Sequence, residues 1–473
     1  MSELPLWETS LARLRYCVWG CLVLLCWSLP TASAETINSA LASAYNNNPT
    51  LNAQRAATRA VDEGVAIAKS GYRPTVTGTA NIGLSRTTSN TPPNAFLGTS
   101  AGTTTNLAPG EFGVVINQTL WDSLLTQNTV GAAKAAVRAQ QEALRNSEQN
   151  ILFNGASAYL DVQRDRAILD YQRQSLSFLQ EQVRSEQARF DVGEATRTDV
   201  AQARASRAAA EAEVSLALAN LKSSEAVFRQ IIGNKPGNLS PVKGVARLVP
   251  KSVDSAIRIA EREHPAIKST EFLVDQAIYN VKAAESGLLP TVGLQGRATR
   301  NFDQSTSATV SENLSVTATL TVPIYQAGRQ SATVRQNKET LGQTRIQVDE
   351  SVDNVRAAVV SAFSQFEGAR AAVIANQEQV RAAKLALEGA VEERKVGQRT
   401  TLDVLDTQTQ VINAQISLSN STRDLKAAGY AILSAVGRLN AKYLGLQVAS
   451  YDPEEHLQEV EDKWFGLRIP SGN

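Results

Sequence analysis

The chain has 473 residues, 43% of them hydrophobic but only 5% aromatic, with a single Met. A large globular core needs bulky side chains, whereas alanine-rich helices pack closely with little volume to fill, so this length does not imply two or three ordinary domains. A formal net charge of +1 excludes the basic field of a nucleic-acid-binding protein.

Arg13 and Arg15 precede an apolar run from Tyr16 to Leu29, and Ala32-Ser33-Ala34 then supplies an A-x-A cleavage site. Residues 1–34 read as a secretory signal peptide, with a run too short to span a membrane comfortably. The alternatives are an N-terminal anchor helix, or lipid attachment at Cys21, where Trp19 fits poorly. Cys17, Cys21 and Cys26 all lie in this segment, so the mature chain is expected to carry no thiol and no disulfide. After Ala34 no window approaches ~18 consecutive apolar residues, which excludes a spanning helix. It leaves a β-barrel open, because barrel strands are short and half apolar.

The rest is a duplication. Asn48-Pro49-Thr50-Leu51 matches His264-Pro265-Ala266-Ile267, and Pro74-Thr75-Val76 matches Pro290-Thr291-Val292, both at an offset of 216 residues. Past one shortened loop the offset is 204: Trp121 matches Tyr325, Val192-Gly193 matches Val396-Gly397, and Thr198-Asp199-Val200 matches Leu402-Asp403-Val404. Such regularity decides the architecture before any local reading. It gives a first repeat over 35–235, a proline-bearing linker over 236–250, a second repeat over 251–440 and a charged tail over 441–473 that reads as loosely ordered or equatorial.

Each repeat opens with a helix, over 36–70 and 252–286. A strand follows Pro74 or Pro290, where Thr75 to Ile82 and Thr291 to Gln295 alternate polar and apolar residues. Polar loops are expected over 87–110 and 302–311. The return strand is clearest in the second repeat: Leu314, Val316, Ala318, Leu320, Val322 and Ile324 alternate with Ser315, Thr317, Thr319 and Thr321, a period of two with one apolar and one hydroxylated face. Pro323 suits a strand terminus.

Long helices are expected over 122–190 and 326–394, both free of proline. At 1.5 Å per residue each reaches roughly 100 Å, too long to wrap in a globule, so they must pack laterally as coiled coils. Gly193 and Gly397 supply the stops, and helices over 196–232 and 400–436 return.

Two strands per repeat make four per chain. Four strands cannot close a barrel, and lipid does not tolerate open edges, so membrane-embedded strands of this kind require several chains per barrel. The residues at the far turns carry the remaining signal. Thr196-x-x-Asp199 and Thr400-x-x-Asp403 fit capping boxes. Asp406, one turn further on and on the same face as Asp403, is not needed for capping; its counterpart in the first repeat is Gln202.

The chain resembles the TolC-like outer membrane factors, the outer-membrane exit ducts of tripartite efflux pumps and type I secretion systems. The resemblance runs over essentially the whole mature chain and includes the duplicated unit, both Val-Gly turns and the Val-Gly-x-Arg-Thr-x-x-Asp-Val-Leu-Asp run at Val396 to Asp406. It implies a mainly α fold with a membrane β-barrel part: a homotrimer with one twelve-stranded barrel and a periplasmic α-helical coiled-coil tunnel. It implies an aperture lined by Asp403 and Asp406, a ring of six carboxylates that attracts cations. It implies a gate latch from Arg399, whose counterpart is Ala195, to Asp199 or the Thr198 region of a neighbouring hairpin. The family's second latch uses a tyrosine where this chain has Arg394. The turns Val192-Gly193-Glu194 and Val396-Gly397-Gln398 would meet a periplasmic adaptor (membrane fusion) protein, with an inner-membrane ABC exporter or proton-driven pump supplying energy.

His264 and His456 are the only histidines and lie far apart in sequence, and no GxxxxGK[ST], HExxH or CxxC occurs; no catalytic, metal or cofactor residues are expected. The competing reading is a secreted or periplasmic coiled-coil adaptor or scaffold without channel activity, which should carry a lipoyl-like or β-barrel domain and one hairpin rather than two. The cargo (drug, protein toxin or polysaccharide) is not legible.

Overall fold

The computed structural model describes residues 35–90, 102–242, 247–305 and 308–469. The expected signal peptide and the three cysteines lie outside them. In chain order the elements are α1 (Ile37–Asn47), α2 (Pro49–Lys69), β1 (Thr75–Ile82), β2 (Ser85–Asn90), β3 (Gly102–Leu107), β4 (Gly110–Trp121), α3 (Leu125–Asp191) and α4 (Arg197–Ile232). The second repeat gives α5 (Val253–Glu263), α6 (Pro265–Ser286), β5 (Thr291–Ser305), β6 (Ala308–Thr321), α7 (Arg329–Lys395) and α8 (Thr401–Ala435); α9 (Pro453–Val460) follows. Among the described residues no helix is long and apolar enough to cross a membrane.

The helices expected over 36–70 and 252–286 are each two helices. Proline has no N–H to donate and forces the preceding residue out of the helical region. Asn48 (φ −68°, ψ 121°) and His264 (φ −68°, ψ 124°) therefore end one helix and cap the next. Asn48 Oδ1 accepts from the N–H groups of Thr50 and Leu51 at 2.9 and 3.3 Å. His264 Nδ1 accepts from Ala266 N–H at 3.2 Å. Burial holds the His264 pKa below its usual range, which favours the neutral ring that can accept this bond.

β1, β4, β5 and β6 form one antiparallel sheet in that order. The register sorts its residues by face. Val76 stands opposite Ile116, Val114 opposite Ala298, Ala298 opposite Leu314 and Gly296 opposite Val316, so one side is apolar. The other side carries Thr75, Thr77 and Thr79 with Asn117, Gln295, Arg297, Thr317 and Ser315 in register. There Gln295 Nε2 donates to Asn117 Oδ1 at 2.8 Å, and Arg297 meets Glu111 at 2.7 Å. β1 and β6 are the free edges.

Of the polar loops expected over 87–110 and 302–311, the described residues are largely strand, while 91–101, 306 and 307 lie outside the described residues. β2 and β3 pair from Ser85–Leu107 to Asn90–Gly102, and β5 and β6 stay paired out to Ser305–Ala308. Threonine-rich sequence is a good strand former once a ladder is already in register, and polarity alone had suggested loop.

Both strand-to-helix junctions use the same left-handed pair, Ser123 (φ 54°) with Leu124 (φ 70°), and Ala327 (φ 51°) with Gly328 (φ 78°). They launch α3 and α7, which have 67 residues each.

The chain divides into two compact units. One comprises residues 45–153, 246–370 and 428–473. It holds the sheet and a core in which Ala256, Ala260 and Ile267 pack with Val355, Val359, Phe363, Ile432 and Val436. Gly437 (φ 85°) lies so close to His264 that a Cβ would come within 2.8 Å of the His264 Cα. Within the tail, expected to be loosely ordered or equatorial, Pro453–Val460 forms α9. Lys69 Nζ reaches Glu461 at 3.1 Å and Asp462 at 2.7 Å, and buried His456 Nδ1 lies 3.0 Å from Asp62.

The other unit comprises residues up to 44, 154–245 and 371–427. Tyr159 and Phe228 pack at 6.4 Å in its core. The Tyr159 hydroxyl lies 2.8 and 2.7 Å from the carbonyls of Glu35 and Ser240, and burial pushes its pKa up to about 12. α8 is tied to α3 by Arg423, whose Nε and Nη2 grip Asp161 at 2.9 and 3.2 Å. Both hairpin tips belong to this unit.

Candidate functional site

The two tips are built alike. α3 ends in a turn where Gly193 takes φ 83° and Glu194 N–H returns to the Arg189 carbonyl at 2.8 Å. α7 ends the same way, with Gly397 at φ 77° and Gln398 N–H returning to Glu393 at 2.9 Å. This is a glycine-terminated Schellman stop. It leaves Val192 and Val396 projecting, 72% and 71% exposed. Reciprocal capping boxes follow. Thr196 N–H donates to Asp199 Oδ2 at 2.9 Å and Asp199 N–H to Thr196 Oγ1 at 3.2 Å. Thr400 and Asp403 repeat both bonds at 2.9 and 3.2 Å. Hydrogen bonds from Thr196 hold the Asp199 carboxyl below its usual pKa, and those from Thr400 do so for Asp403. Asp403 thus has a capping duty; Asp406 is exposed and takes no part in the cap.

Arg399 does not reach Asp199 or Thr198 within the chain. Its Nε donates to Glu393 Oε2 at 2.8 Å across its own turn, and that contact raises its pKa. The cross-hairpin contact falls instead to Arg394. Its Nη2 meets Glu186 Oε1 of α3 at 2.5 Å, and its Nε donates to Thr401 Oγ1 at 3.1 Å. The Glu186 side chain is 1% exposed and that of Arg394 13%. Asp199 feels the charge of Arg394 as well as its own cap. One cation therefore joins the ends of α3 and α7 and the starts of α4 and α8. Below it Leu179, Ala210 and Leu405 form an apolar cluster with Leu176 and Phe178.

Sequence reasoning missed Glu186. It sits between Ser185 and Gln187 like any solvated helix residue, and nothing local signals its burial. Its Oε2 has no hydrogen-bond partner.

A two-faced antiparallel sheet with open edges and two helical hairpins with polar tips are the parts that a subunit of an outer-membrane channel needs. The chain matches the family described as Outer membrane efflux protein over residues 40–234 and 256–438, and it belongs to that family. It is 47% identical over 442 residues to the outer membrane efflux protein BepC of Brucella suis biovar 1 (strain 1330), covering 93% of this chain and 94% of that one. It is 26% identical over 348 residues to the outer membrane protein TolC of Escherichia coli (strain K12), covering 70% and 69%. In structure it is similar to the CmeC outer membrane channel of Campylobacter jejuni, with a TM-score of 0.74 at 18% identity over 90% of this chain and 89% of that one.

The protein is accordingly an outer-membrane exit duct for efflux or secretion, with its sheet in the membrane and its helices in the periplasm. The scaffold without channel activity is set aside by the same findings. The family consists of channels rather than enzymes.

Proposed function

We propose that three copies of the chain share one barrel and that the hairpin tips gate it. The strands alternate in direction across the sheet, so β6 of one copy and β1 of the next can pair antiparallel, and a closed ring has no exposed edge. Three copies make the twelve strands that the family resemblance implies. The apolar face then meets lipid, and the face bearing Thr77, Asn117 and Gln295 lines the water.

At the periplasmic end, Asp406 and the outward side of Asp403 form the acidic ring. Arg399 can exchange Glu393 for Asp199 or the Thr198 region of the neighbouring copy. The observation that carries the gate is the buried contact of Arg394 with Glu186, which joins the two hairpins of one chain where the family's second latch stands. Opening requires that contact to break. The exposed turns, Val192 to Glu194 and Val396 to Gln398, are the docking points for a periplasmic adaptor protein. An ABC exporter or proton-driven pump of the inner membrane supplies energy, since the chain carries no nucleotide-binding loop. Efflux is the first reading of the cargo, supported by the similarity to BepC.

The test is reconstitution of the full-length oligomer in planar bilayers, with its mass measured in detergent. A trimeric mass with small, cation-sensitive conductance supports the reading; a monomer that passes no ions would overturn it.

A further inference from the structure

Residues 463–469, shortly after α9, form a closed apolar loop pinned to the foot of the membrane sheet. Arg73, two residues ahead of β1, donates from Nη1 to the Lys463 carbonyl at 2.7 Å, and its guanidinium lies 4.8 Å from the centre of the Trp464 ring. Lys463 Nζ donates to the Arg468 carbonyl at 2.6 Å, which closes the loop. Gly466 takes φ 114° within it, a conformation that glycine alone adopts readily. Phe465, at 90% exposure, and Leu467 stand out of the loop into open space, and Trp464 and Ile469 are exposed beside them.

Four large apolar side chains among six residues are not the composition of a loop that faces water. Their level is set by the sheet. Arg73 adjoins Tyr72, whose carbonyl accepts from Gln118 Nε2 of β4 at 3.1 Å. Leu120, Trp121, Ile324 and Tyr325 are exposed where β4 ends and after β6. This is the end of the sheet from which α3 and α7 leave, hence its periplasmic end. The far end of the apolar face carries its own marker, Phe112 and Phe302 edge-on at 6.0 Å beside the Arg300–Glu312 pair at 3.5 Å. Aromatic girdles at both rims are what a membrane barrel presents to the two interfaces. The loop adds Trp464 and Phe465 to the inner girdle from outside the barrel strands.

We propose that Lys463–Ile469 is a lipid-inserting loop that seats Trp464, Phe465 and Leu467 in the periplasmic leaflet of the outer membrane. Lys463 and Arg468 lie at the level of the phospholipid phosphates. Continuity with the lipid-facing girdle, with Lys463 and Arg468 beside the apolar side chains and the preceding acids Glu461 and Asp462 paired to Lys69, favours a phospholipid surface over a second copy of the chain. The loop, locked through Arg73 and Lys69 to the first repeat, would fix the height of the duct in the membrane.

The experiment uses the full-length oligomer in liposomes whose acyl chains carry bromine either near the headgroup or near the chain end. The difference in fluorescence between wild type and Trp464→Phe isolates the Trp464 signal. It should be quenched at least twofold more by shallow than by deep bromines and shielded from aqueous acrylamide. Quenching by acrylamide but not by bromolipid would overturn the proposal in favour of a solvated loop. Quenching by neither would overturn it in favour of a contact between copies. Phe465→Ser with Leu467→Ser should lower the bromolipid quenching while leaving conductance unchanged, which separates lipid contact from misassembly.

Discussion

Removing the Arg394 guanidinium tests the proposed gate at its most buried point. Arg394→Leu leaves the Glu186 carboxylate, 1% exposed, without its cation, and breaking a buried pair from one side costs roughly 3–5 kcal/mol. Arg394 retains some access to water and its own hydrogen bond to Thr401, so the lower figure, about 3 kcal/mol, is the better expectation. If the pair exists only in the closed state, that shifts the closed-to-open ratio about 100-fold per chain, enough to take a population of about 99:1 to about 1:1. Single-channel recording in planar bilayers reads this directly, as a larger conductance and a higher open fraction. Glu186→Gln should act in the same direction but more weakly, because the amide oxygen can still accept from Arg394. The double-mutant cycle Glu186→Leu with Arg394→Leu should give a coupling of at least about 1.5 kcal/mol. Wild-type conductance in Arg394→Leu, or a coupling under about 0.5 kcal/mol, would remove the clasp from the gate. Arg399→Ser should raise conductance less, since its partner within the chain, Glu393, is exposed and such pairs contribute little.

Three further outcomes are expected. Asp403→Ala with Asp406→Ala should weaken block by divalent and trivalent cations about tenfold or more, scored as the blocking concentration in bilayers; unchanged block would dispose of the acidic ring. The depressed pKa values of Asp199 and Asp403 mean that both caps contribute fully above the usual carboxyl pKa of 3.8 and are lost as pH falls through their lower folded values. Hydrogen exchange at residues 196–200 and 400–404, corrected for its intrinsic pH dependence, should therefore stay slow at pH 5 and speed up only below that usual value. Gly397→Ala, with φ 77° and open space around it, should cost about 1 kcal/mol, whereas Gly437→Ala adds a collision with the His264 backbone and should cost clearly more in thermal unfolding.

Much of the fold is legible because its signals are local and periodic. The alternation from Leu314 to Thr321 sorts into apolar and hydroxylated faces in the sheet register, and Thr196-x-x-Asp199 and Thr400-x-x-Asp403 close as capping boxes. Two local signals were present and missed. Asn48-Pro49 is an N-cap followed by proline at N1, which divides the first helix, and Asp452-Pro453-Glu454 opens α9 in the same way. The extension of β2 and β3 was hidden by composition, since threonine serves loops and strands alike. The Arg394–Glu186 contact was not legible at all: the partners are 208 residues apart, and only packing makes Glu186 a buried acid rather than a solvated one.

The duplication supplies its own control for what the tips do. Positions that match between repeats build the turn: Val192 and Val396, Gly193 and Gly397, Thr196 and Thr400, Asp199 and Asp403. Positions that differ hold the polar contacts a turn does not need. Arg394 stands where the first repeat has Phe190, Arg399 where it has Ala195, and Asp406 where it has Gln202; Glu186 stands where the second repeat has Ala390. A helix stop asks for none of these charges, and both hairpins stop equally well without sharing them. At the buried contact the divergence sets a cation on the second hairpin, Arg394, against an acid on the first, Glu186. Two hairpins that both carried Glu186 with Phe190, or both Ala390 with Arg394, could not make this contact. Breaking the internal symmetry at these positions is therefore what lets one chain join its own two hairpins at the tips, through the contact that the proposed gate must break to open.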